Sequence, residues 1–166
     1  MGIVLDYYCR VLKIAAVALL AVMVALVFGN VVLRYLFNSG ITVSEELSRW
    51  LFVWLTFLGS IYALREHQHL GTDVLLSRLG RRGRLVCLLV GHGFMLWVCW
   101  LLFSGALAQT RLNWNVTAPS SGLSVAWFYM SGLVFSVSAA LILIEQMIRL
   151  LRGELAVESM IGEERL

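Results

Sequence analysis

The chain has 166 residues, 60% of them apolar and 14% charged, with a formal net charge of +3. A soluble domain carries about 25% charged residues, so a water-facing surface cannot be built here and lipid must act as the solvent. One proline and 14 glycines exclude collagen-like repeats and proline-rich disorder.

The lead-in, residues 1–13, sets Ile3, Val4, Tyr7, Tyr8, Val11 and Leu12 against Asp6, Arg10 and Lys13, the pattern of an interfacial helix. Four apolar runs follow, Ile14–Leu33, Leu47–Leu64, Leu85–Ala108 and Leu123–Ile144, of 20, 18, 24 and 22 residues. Each approaches or exceeds the roughly 20 residues that cross about 30 Å of hydrocarbon as a helix. The runs are continuous and do not alternate, which predicts helices over barrel strands. The expected spans are about 14–36, 45–65, 85–109 and 122–149. The first run exceeds the 7–15 apolar residues typical of a signal peptide and lacks a clean small-residue cleavage site, so a retained helix is expected. The expected fold is all-α: a single membrane domain over 1–166, a four-transmembrane-helix bundle with interfacial segments at about 1–13 and 72–82.

Charge sets the orientation. An even number of crossings puts both termini and the middle loop on one side. That side holds ten Lys and Arg residues, Arg78, Arg81, Arg82 and Arg84 among them; the other holds Arg34, Arg49 and Arg111. The positive-inside rule predicts both termini in the cytoplasm. The net positive charge is a topology signal, and no nucleic-acid partner is expected. In the middle loop, Val74, Leu75 and Leu79 are expected to face the bilayer with the arginines among anionic lipid headgroups; the alternative is a docking surface for a partner.

Ionisable groups inside a membrane cost several kcal/mol and persist only for use. Here they are scarce. His92 lies a turn or two into the third span, where interhelical packing is expected. Glu145 ends the fourth span with Arg149 four residues on, a helical pair. No acid sits at a span midpoint, which disfavours a stand-alone small proton-coupled transporter. Paired axial histidines are missing, and Cys9, Cys87 and Cys99 form no C-x-x-C pair, which disfavours a small membrane redox protein. No catalytic residue, cofactor or metal site is expected.

The densest polar feature is the outer hairpin, Arg34–Trp50. Ser44 before two acids is a helix-start signature. Glu45, Glu46 and Arg49 share a helix face, and Arg34 closes a charge-neutral cluster. Small residues at four-residue spacing predict close helix contacts: Gly59 and Ala63 (with Thr56 and Ser60), Ser104 and Ala108, and Gly132, Ser136 and Ala140. Trp97 and Trp100 suit either internal packing or an outward contact.

The order and spacing of several motifs resemble the small membrane subunit, DctQ type, of tripartite ATP-independent periplasmic (TRAP) transporters. These are N-x-x-x-R-Y-x-F at Asn30–Phe37, S-E-E-L-x-R at Ser44–Arg49, W-x-x-F-x-G at Trp54–Gly59 and H-x-G-x-D at His69–Asp73. Val43 departs from the family's usual tryptophan. The resemblance implies a non-catalytic subunit of the bacterial inner membrane. Its implied partners are a large elevator-type membrane subunit (DctM type) and a periplasmic substrate-binding protein (DctP type). It also implies uptake of an organic acid driven by a sodium gradient through the large subunit. Arg34, Glu45, Glu46, Arg49, Trp54, Gly59, His69 and Asp73 are the structural or partner-contact candidates.

Overall fold

A computed structural model of the chain describes residues 2–66 and 81–151. These residues form helices α1 (Gly2–Phe37), α2 (Thr42–Glu66), α3 (Arg81–Leu112) and α4 (Ala126–Leu151). All four are long and apolar enough to cross a membrane. The expected interfacial segment 72–82 lies outside the described residues, except for Arg81 and Arg82 at the start of α3.

The 36 residues of α1 make a rod of about 54 Å at 1.5 Å per residue. The lead-in and the first apolar run are thus one unbroken helix. At its end Asn38 adopts a left-handed φ of 48°, a conformation that asparagine tolerates better than most residues. Only residues 38–41 separate α1 from α2.

The connection from α3 to α4 is more elaborate. Thr117 and Ser124 form an antiparallel bridge. The Ala118 amide donates to the Leu123 carbonyl at 2.8 Å, and the Gly122 amide to that of Ala118 at 3.0 Å. Gly122 sits at φ 69°, where a residue without Cβ meets no strain. This turn takes up 117–124, so α4 starts later than the expected residue 122. Ser124 caps it: its Oγ accepts from the Ala126 amide at 3.2 Å, satisfying a donor that the helix itself leaves open.

The helices pack in the order α1, α2, α4, α3. One apolar cluster joins Cys9 and Leu12 of α1, Leu58 and Ile61 of α2, and Ile142 of α4. A second joins Cys99 of α3 to Ala139 and Leu143 of α4, and Leu64 and Phe135 touch both clusters. Helix α4 therefore lies at the centre. It also buries Ser131, Ser136 and Ser138. Their hydroxyls donate to carbonyls of α4 itself, at Phe128 (2.7 Å), Leu133 (3.0 Å) and Val134 (2.6 Å). Each polar group is satisfied within its own helix, and its small side chain lets a neighbour come close.

The small-residue stripes divide in use. A methyl built on Gly132 would lie 3.3 Å from the Ala106 Cβ, so α3 and α4 nearly touch there. The equivalent methyl on Gly59 meets no atom within 4 Å. Thr56, Ser60 and Ala63 are exposed, as are Ser104 and Ala108. The expected close contacts through Gly59–Ala63 and Ser104–Ala108 are therefore not made among the described residues; α3 uses Ala106 instead. Trp97 and Trp100 also face outward.

Gly132→Val overfills the α3–α4 contact and should destabilise the protein by about 1–3 kcal/mol. Gly59→Ala enters open space and should leave stability unchanged or slightly raised. Unfolding midpoints in detergent check both.

Candidate functional site

The loop end of the bundle, where α1 meets α2 and α3 meets α4, gathers most of the candidate residues. Helix α2 begins at Thr42, two residues before Ser44. Ser44 is thus inside the first turn and is not the cap that the sequence suggests. Its Oγ crosses to α1 and donates to the Leu26 carbonyl at 2.9 Å. Asn30 answers from the other side. Its Oδ1 accepts from the Ile41 amide at 2.7 Å, and its Nδ2 donates to Glu45 Oε1 at 3.3 Å. Asn30 and Ser44 are both buried. Two side chains therefore fix the crossing of α1 and α2, and one of them holds a backbone amide at the start of α2 that no helical carbonyl can reach.

The charge cluster is split. Arg34 Nη2 lies 3.8 Å from Glu45 Oε1, with 67% and 43% of the two side chains exposed. Glu46 turns the other way, to the α3–α4 loop. Its carboxylate accepts from the Ser120 amide at 3.1 Å, from the Ser121 amide at 3.3 Å and from the Ser121 hydroxyl. Among the described residues, Arg49 pairs with neither acid. The neutral four-residue set expected from helical spacing thus becomes two separate ties. Adjacent residues on a helix point about 100° apart, so Glu45 and Glu46 reach different neighbours. Trp54 adds a third tie: its Nε1 donates to the Trp127 carbonyl in the first turn of α4 at 3.1 Å. Gly59 makes no close contact. His69 and Asp73 lie outside the described residues.

The opposite end carries a buried ion cluster of which the sequence revealed only half. Glu145, its side chain 9% exposed, binds Arg149 one turn on at 2.5 Å and Arg65 of α2 at 2.9 Å. The helical spacing exposed the Arg149 pair. Arg65 sits in the last turn of α2 and Glu145 nearly two turns before the end of α4, so no short spacing in the sequence joins them. Nearby, Lys13 Nζ donates to Tyr62 Oη at 3.1 Å and lies over its ring, and Tyr8 Oη bonds Ser138 Oγ at 2.8 Å. His92 is fully buried, with Nδ1 2.8 Å from the Leu88 carbonyl of its own helix. Among the described residues no three His, Cys, Asp or Glu side chains gather as a metal site. Asn30, Ser44, Glu46 and Trp54 at one end, and Arg65 with Glu145 at the other, fasten helices and loops to one another.

Residues 23–153 match the family described as tripartite ATP-independent periplasmic transporters, DctQ component. This chain belongs to the DctQ family. A TRAP transporter small permease protein of Haemophilus influenzae is 40% identical over 149 residues, covering 87% of this chain and 92% of the relative. A second protein of that name from the same organism is 32% identical over 87% of each chain. A C4-dicarboxylate TRAP transporter small permease protein of Vibrio cholerae is 34% identical over 58% of this chain and 39% of its own length. The DctQ-family match and four membrane-capable helices make this a multi-pass protein of the bacterial inner membrane. The family is a component of transporters rather than a family of enzymes, and it works alongside other subunits.

Glu145→Gln leaves two arginines without their shared buried carboxylate and should cost about 3–5 kcal/mol. Arg34→Ala breaks an exposed pair and should cost less than about 1 kcal/mol. Equilibrium unfolding in mixed detergent compares them.

Proposed function

We propose that this chain is the non-catalytic small permease subunit of a sodium-driven TRAP-type importer, widening the fixed scaffold against which an elevator-type DctM subunit moves. A DctP-type periplasmic protein delivers the solute, an organic acid. Sodium and solute bind in the large subunit, and this chain holds no cofactor. The observation that carries the reading is the use of the polar side chains within a DctQ-family fold. Asn30, Ser44, Glu46 and Trp54 join helices and loops at one end, while Arg65 and Glu145 do so at the other. A part whose buried polar groups, Asn30, Ser44 and Glu145 among them, are committed to its own rigidity suits a static wall better than a carrier.

The count of Lys and Arg supports both termini in the cytoplasm. The loop end, with Arg34, Glu45, Glu46, Arg49 and Trp54, then faces the periplasm, where the binding protein docks. The open space beside Gly59 and the exposed Ser104 leave room for a second membrane protein.

Deleting this chain from a reconstituted three-part system should abolish solute uptake while the soluble receptor still binds its ligand. Normal uptake without it overturns the proposal. Glu46→Ala frees the α3–α4 loop and should reduce recovery of the large subunit in copurification severalfold more than Arg81→Ala. Equal losses would remove the special role of the loop end.

A further inference from the structure

Between α1 and α2 at the loop end lies a groove of about 290 Å³, lined by Val27, Asn30, Val31, Arg34, Ser48 and Arg49, with Glu45 beside them. Two guanidiniums and one carboxylate leave it with a net charge of +1. Neither arginine is consumed by folding. Arg34 reaches Glu45 only at 3.8 Å, and Arg49 makes no hydrogen bond or ion pair among the described residues. The carboxyl of Glu45 is already shared with the Asn30 amide. One flank is apolar: Val27 and Val31 are 48% and 45% exposed, continuous with the outward surface of Val24 and Phe28 on the same helix.

We propose that this groove binds one phospholipid, its anionic phosphodiester held by Arg49 and Arg34 and an acyl chain laid along Val27 and Val31. The argument is one of complementary chemistry. An arginine within a membrane-capable helix is stabilised by an anionic partner, and among the described residues none pairs with Arg49. The ligand must carry a single negative charge to match the groove and a long apolar portion to cover the valines. A planar guanidinium fork fits two phosphate oxygens. A lipid meets every term of that description, and a membrane-spanning chain is surrounded by it. The bound lipid would cover the flank of the α1–α2 crossing that Asn30 and Ser44 set from within.

Native mass spectrometry of the purified full chain, titrated with phosphatidylglycerol in detergent, tests the assignment. One lipid should be retained at a saturable site. Arg49→Gln should weaken retention about tenfold, the loss of one charge-assisted contact. Val31→Trp, which fills the groove but keeps both arginines, should do the same, and Arg111→Gln on α3 should have no effect. Undiminished binding by both Arg49→Gln and Val31→Trp overturns the proposal. So does displacement of the lipid by inorganic phosphate, which assigns the groove to a soluble anion. If Arg49→Gln keeps its lipid but sheds the large subunit from the assembled transporter, the groove is a protein contact and the lipid assignment falls.

Discussion

Helix α4 meets each of the other three helices, and it can do so because the side chains at its contacts are small or self-satisfied. Gly132 admits Ala106 of α3. Ser131, Ser136 and Ser138 turn their hydroxyls back to α4 carbonyls. Ile142 joins the cluster that includes Cys9 and Leu12 of α1. In lipid there is little hydrophobic gain from bringing helices together, so close packing and hydrogen bonds must hold them. The architecture follows from that constraint: where α4 allows approach, neighbours gather, and where it does not, side chains such as Val137 and Leu141 face outward.

The polar ties complete what packing begins. At the loop end they are mostly hydrogen bonds between side chains and backbone, through Asn30, Ser44, Glu46 and Trp54. At the other end an ion cluster, Arg65–Glu145–Arg149, joins α2 to α4. The two ends differ physically. Hydrogen bonds to backbone fix direction and register, and a buried carboxylate between two arginines chiefly penalises separation.

The number and type of the elements were legible in the sequence because runs of 18 to 24 mostly apolar residues have few structural options in lipid. The candidate site was only partly legible. Helical spacing groups Glu45, Glu46 and Arg49, but it cannot say which neighbour each side chain meets. The partner of Glu46 is the Ser120–Ser121 segment, some 75 residues away, and nothing local in the sequence points to it. The small-residue stripes were similarly ambiguous. Gly132 and Gly59 look alike as letters, yet only Gly132 has a helix against it. A stripe reports that approach is possible and leaves open what approaches. Arg65 shows the same gap, since a pair between separate spans leaves no short spacing to read.

The α1–α2 crossing has a consequence for how the protein is made. Its fastenings, Leu26 with Ser44 and Asn30 with Ile41, involve nothing beyond the second helix. A nascent chain has therefore emitted every atom of this hairpin before the third helix is translated. The first two rods can enter the bilayer as a matched couple, and the later pair then assembles beside a template already in place.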